Sequence, residues 1–108
     1  MNIKYNRRDY MYKRCTYDEY YSQFLTADII KYVEANVGRE RIINSTDDNF
    51  NDIDIRHWDR IVYNLKPLVS DELLIFAQEG WSLMTGVCIA KQAARIIWRE
   101  NNNAIGHQ

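Results

Sequence analysis

The residues most able to do chemistry lie close together, in STDDNFNDIDIRHWDRI from Ser45 to Ile61. Five aspartates there flank His57 and Trp58. Clustered carboxylates can hold a divalent ion that polarises a phosphate, so a metal-dependent hydrolase built on Asp47–Asp59 is one reading. A calcium loop beginning at Asp47 would place Asn49 and Asn51 at its third and fifth positions, as required. Its sixth position, however, is Asp52 where a sharp turn wants glycine, and its twelfth is Trp58 where a bidentate glutamate belongs. A helix start explains the stretch better. Asp54 serves as N-cap, Asp47, Asn49 and Asn51 serve as turn formers, and no metal ligand is assigned. His57 falls off the apolar stripe beside Arg56 and Arg60, and no nucleophile is placed to make it a catalytic base.

Cys15 and Cys88 are the two cysteines. Neither a CxxC nor an HxxxH pair is present, so the compact ligand pairs of a zinc site are missing. Both are expected to pack as thiols in the core. No cofactor is called for.

The elements that must position these residues read as helical. The chain has 108 residues, one proline and four glycines, with a net charge of −1. That balance argues against a generally basic nucleic-acid binder and against an acidic mimic of DNA. No apolar run approaches the roughly 20 residues of a membrane helix. The basic N-terminus has no apolar segment behind it, so no secretory signal and a cytoplasmic location are expected.

Thr16 and Glu19 form a capping box, and Tyr17, Tyr20, Tyr21 and Phe24 follow on one helical face. Thr26 marks a second start. Ile29, Ile30, Val33 and Val37 continue the apolar pattern, and Gly38 suits a helix end. Residues 39–46 fit either a helical turn or a short strand. Ile55, Trp58, Ile61, Val62 and Leu65 make the next face, which Lys66–Pro67 should end. Ser70 can cap a helix running toward Gly80. In the last helix, from about Leu83 to Glu100, Leu83, Val87, Ala90, Ala94 and Ile97 share a face. Small residues there, Gly86, Ala90, Ala93 and Ala94, allow close packing. Lys91, Arg95 and Arg99 repeat every four residues as a solvated or phosphate-tracking row.

The expected fold is therefore all-α: a compact bundle of four to five short helices, with one candidate extended segment around residues 41–45. Its organisation is a basic arm (1–14), a single helical domain (15–100) and a polar, frayed tail (101–108).

Three stretches together, CTYDEYYSQFLT (15–26), DDNFNDIDIRHWD (47–59) and SLMTGVCIAKQAARI (82–96), resemble small proteins encoded in bacteriophage and prophage genomes. The resemblance covers about three-quarters of the chain. It implies an accessory protein acting inside a bacterium and implies no catalytic residue.

The leading functional expectation is non-enzymatic protein binding, with a bacterial or phage protein or a second copy of the chain as partner. Tyr17, Tyr20, Tyr21, Trp58 and Trp81 are its candidate contacts, because tyrosine and tryptophan carry interface energy. The alternative is nucleic-acid binding through Lys4, Arg7, Arg8, Lys13 and Arg14, joined by Lys91, Arg95 and Arg99. The hydrolase at Asp47–Asp59 stands third.

Overall fold

A computed structural model describes Cys15, residues 19–71 and residues 83–106. The order is α1 (Glu19–Ser22), α2 (Ala27–Val33), a π-helical segment (Glu34–Gly38), α3 (Arg39–Ile43), α4 (Ile55–Val62), a 3₁₀ segment (Tyr63–Leu68) and α5 (Leu83–Gly106). These group into three principal helical stretches, 27–43, 55–68 and 83–106, joined with α1 in a compact helical globule. Among the described residues there is no strand. Residues 41–45, the candidate extended segment, instead finish α3 and enter a turn. The expected helix toward Gly80 and the Thr16 half of the capping box lie outside the described residues.

Local chemistry accounts for the boundaries. Thr26 caps α2, its hydroxyl accepting from the Ile29 N–H at 3.2 Å. Gly38 takes φ 108°, a backbone that side chains rarely adopt, so the helical ladder breaks there rather than ending. The carbonyls around that break are served by side chains. Asn36 Nδ2 donates to Tyr32 O at 2.8 Å, Arg41 Nη1 to Val37 O at 2.9 Å, and Arg60 Nη2 to Asn36 O at 3.0 Å. The last of these ties the first helical stretch to α4. Pro67 does not stop the second stretch as expected. The chain tightens to 3₁₀ geometry at Tyr63, carries the proline inside that segment, and leaves it at Val69 in an extended conformation.

The long helix α5 is the centre of the molecule. The helices α2, α3 and α4 and the 3₁₀ segment all pack on it. Burial is nearly continuous from Thr85 to Arg95, on every side of the helix, instead of along one stripe. Ala90, Ala93 and Ala94 are fully buried, which lets neighbours approach closely. Around them lie Ile29, Val33, Val37, Ile42, Trp58, Ile61 and Leu65. The segment 101–106, expected to fray, continues the helix. No helix of the described residues is long and apolar enough to cross a membrane.

The cysteines correct the sequence reading. They are not separate thiols: Cys15 and Cys88 form a disulfide with Cα atoms 5.0 Å apart, a spacing the bond requires. Cys15 is thereby pinned to α5.

Candidate functional site

The aspartate-rich stretch is a polar turn folded over α5. Asp47 organises it, its carboxylate accepting from the backbone N–H groups of Asn49 at 2.9 Å and Asn51 at 3.2 Å. Asp52 closes the other side. Its carboxylate lies 2.6 Å from Ser45 Oγ and accepts from the Thr46 N–H at 2.9 Å. Burial would raise its pKa, but the Ser45 hydroxyl and the Thr46 N–H outweigh it and hold the carboxyl below the usual range. Asp54 caps α4 as expected, accepting from the Arg56 N–H at 2.9 Å. That N–H and the Arg56 guanidinium keep the Asp54 carboxyl ionised to lower pH than usual. These three carboxylates are thus engaged in shaping the backbone. Among the described residues, no three His, Cys, Asp or Glu side chains are grouped to hold a metal ion.

Phe50 is the turn's apolar anchor. It is fully buried although its φ is 58°, an uncommon backbone for a bulky residue. Hydrogen bonds on both sides hold it there, from Phe50 N to Asp47 O at 2.7 Å and from Ile53 N to Phe50 O at 3.1 Å. Its ring sits 6.0 Å from that of Trp58.

From below, α5 reaches into this turn with two cations. Arg95 donates through Nε to Asp48 O at 3.0 Å and through Nη2 to Cys15 O at 3.0 Å and to Asn49 Oδ1. Its guanidinium carbon is 6.0 Å from the centre of the Phe50 ring, within cation–π range. Lys91, 1% exposed, approaches Asn51 Oδ1 at 3.4 Å. Trp98 adds a third tie, Nε1 donating to Ser45 O at 3.2 Å. The row Lys91, Arg95, Arg99 is therefore not one exposed stripe. Lys91 and Arg95 are buried because α5 is central, and only Arg99 faces solvent.

Burial, then the neighbouring Arg95, push the Lys91 ammonium down to about 8, against a partial counter-effect from Asp47. The sign follows from linkage. The folded value lies below the unfolded one of 10.5, so the unfolded chain binds more protons between those values. Stability attributable to Lys91 is present in full above pH 10.5 and is lost as pH falls through about 8. The swing is about 3 kcal/mol. We expect wild type to gain that much over Lys91→Met between pH 8 and 10.5, read by urea denaturation at each pH.

Among the described residues are two surface clefts. One, about 360 Å³, is lined by Arg41, Asn44, Ser45, Asp52, Ile53, Asp54 and His57. Burial, followed by the Arg41 and Arg60 guanidinium groups, lowers the His57 pKa, so its imidazole is neutral at pH 7. The other, about 410 Å³, is lined by Tyr63, Lys66, Pro67, Val69 and Asp71. Tyr63 is 58% exposed and is the one exposed large hydrophobic side chain among the described residues.

Of the candidate protein contacts, Trp58 is only 1% exposed. It fills the core beneath Phe50, so it cannot meet a partner without unfolding. Tyr21 is half-buried and packs on the core. Tyr17 and Trp81, the Tyr20 side chain, and the basic residues Lys4, Arg7, Arg8, Lys13 and Arg14 lie outside the described residues. Sequence reasoning passed over Tyr63. Its signal was available, since it falls off the 55–58–61–62–65 apolar face of its own helical stretch. No family model, curated protein or solved structure matches the chain.

Proposed function

We propose that the protein is a non-enzymatic accessory factor of phage type that works by binding another protein, and that it docks its partner at the Tyr63 cleft. The observation that supports this reading is the pairing of an exposed tyrosine with a concave surface. Tyrosine brings large contact area with few torsions to immobilise, and it is over-represented among residues that dominate binding energy. The cleft has the corresponding anatomy: Tyr63, Pro67 and Val69 are its apolar parts, and Lys66 and Asp71 supply one charge of each sign. Leu65 and Val69 are buried in the core, which anchors the segment that carries the cleft. The fitting partner inserts an apolar side chain beside Tyr63 and pairs its own charges with Lys66 and Asp71.

Affinity capture from bacterial lysate, with and without nuclease, tests this when wild type is run beside Tyr63→Ala. We expect a stoichiometric protein that resists nuclease and whose affinity falls at least about tenfold in the variant, as for an interface hot spot. Equal capture by both forms overturns the assignment of the surface. Recovery that disappears with nuclease transfers the function to the basic arm and its phosphate contacts. Sedimentation of the purified chain at increasing concentration reports whether the partner is a second copy.

A further inference from the structure

The two sulfurs of the disulfide differ in access. Cys15 is 2% exposed and is walled in by Met84, whose Sδ and carbonyl oxygen lie 3.4 Å and 3.6 Å from Cys15 Sγ. Cys88 is partly exposed. Cys88 is thus the more exposed residue of the pair, and a thiolate that attacks its sulfur displaces the Cys15 sulfur along the S–S axis.

The bond is also joined to the polar turn. Cys15 O and Asn49 Oδ1 accept from the same Arg95 Nη2, while Asp48 O accepts from Nε of that guanidinium. Asn49 then leads through Asp47 to Ser45, whose hydroxyl contacts both Asp47 O and Asp52 Oδ1. Arg95 follows Cys88 by seven residues, two turns along one face of α5. One buried cation thus serves the residue that the disulfide pins and the turn that carries the aspartates.

We propose that Cys88 Sγ is a site of reversible thiol–disulfide exchange with a dithiol reductant, and that the state of the Cys15–Cys88 pair sets the rigidity of the turn at residues 45–53. The chemistry balances. A reductant thiolate attacks Cys88 Sγ, forming a mixed disulfide and releasing the Cys15 thiolate, which takes up a proton. The reductant's second thiolate then attacks its own sulfur in that mixed disulfide, and the Cys88 thiolate leaves and is protonated. In all, two electrons pass to the protein pair with two protons, and the dithiol becomes a disulfide. Reduction frees Cys15 from α5, so its carbonyl no longer holds Arg95 Nη2. The guanidinium is then less constrained beneath Asp48 and Asn49, and the turn opens. This inference is independent of the Tyr63 surface.

Hydrogen exchange of the full chain, oxidised and after dithiothreitol treatment, tests the coupling. We expect the urea-independent part of exchange, which reports local opening, to quicken at least about tenfold at residues 45–53 on reduction, and to quicken more there than at 27–33 and 55–62. Acceleration by one factor everywhere would make the bond a general staple and overturn the coupling, as would an unchanged turn in chain shown by alkylation to be fully reduced. If the reduced chain unfolds, Arg95→Lys in the oxidised state replaces it. That variant should loosen 45–53 with the disulfide intact, and a turn as protected as wild type counts against the proposal. The site of attack is read separately, by mass spectrometry of chain quenched from limiting glutathione. A glutathione adduct on Cys88 is expected, and an adduct on Cys15 rejects the assignment.

Discussion

Reduction of the Cys15–Cys88 bond lowers the free energy of unfolding by about 4 kcal/mol and the melting temperature by roughly 15 °C. The magnitude comes from the chain between the cysteines, whose separation is 73 residues. Closing so long a loop removes much of the freedom of the unfolded chain, and that cost disappears from folding. A native-state contribution adds to it, because Cys15 sits at the base of the Arg95 network and is itself part of the core. The check is thermal and urea denaturation of oxidised chain, reduced chain, and Cys15→Ser with Cys88→Ser. Reduced chain and double variant should agree closely, since both lack the cross-link. A loss under about 1 kcal/mol would mean that the unfolded chain already keeps residues 15 and 88 near one another.

How far the fold could be read from the sequence depended on whether the deciding contact was local. Thr26 and Asp54 were legible as caps because each bonds a backbone N–H two or three residues away. Asp47 was legible as a turn former for the same reason, whereas the Asn49 and Asn51 side chains, expected to bond the local backbone, turn instead to Arg95 and Lys91 on α5. The apolar face running from Ile55 to Leu65 was legible because its period matches the helix, and Trp58, Ile61, Val62 and Leu65 are all buried on it. Trp58 lies in the middle of that face, so the periodicity that marks the helix also marks Trp58 as core.

What escaped was set by the place of α5 in the molecule. A helix surrounded on every side buries whatever it carries, and a row of Lys91, Arg95 and Arg99 looks the same in sequence whether solvent or protein faces it. The acceptors that make burial tolerable, Asn49 and Cys15 among them, are 46 and 80 residues from Arg95. The disulfide has the same character, since two distant cysteines give no local pattern. Phe50 could not be foreseen in a left-handed backbone, because that conformation is held by the turn around it and by the pocket formed with Trp58.

The same burial gives the two cations of α5 opposite expected effects. Replacing Lys91 with methionine removes a charge that the interior disfavours, as its depressed pKa records. Replacing Arg95 with methionine should instead destabilise the protein by about 3 kcal/mol. Methionine fills similar space and relieves the desolvation of the guanidinium, which by itself favours the variant. Against that stand the acceptors left behind. Cys15 O and Asn49 Oδ1 lie in buried bonds to Arg95, and each buried acceptor deprived of its donor costs about 1–3 kcal/mol. The Phe50 ring loses its cation as well, about 0.5–2 kcal/mol. Asp48 is exposed, so water replaces Arg95 there at little cost. The losses exceed the relief because the planar fork serves several oxygens at once. Arg95→Lys should recover only part of the stability, since one ammonium on a flexible stem cannot span Asp48, Asn49 and Cys15 together. Urea denaturation of wild type, Arg95→Met, Arg95→Lys and Lys91→Met at pH 7 measures all four. If Arg95→Met proves as stable as wild type, the guanidinium is a tolerated cost of the fold and the turn is held by Phe50 and Trp98 instead.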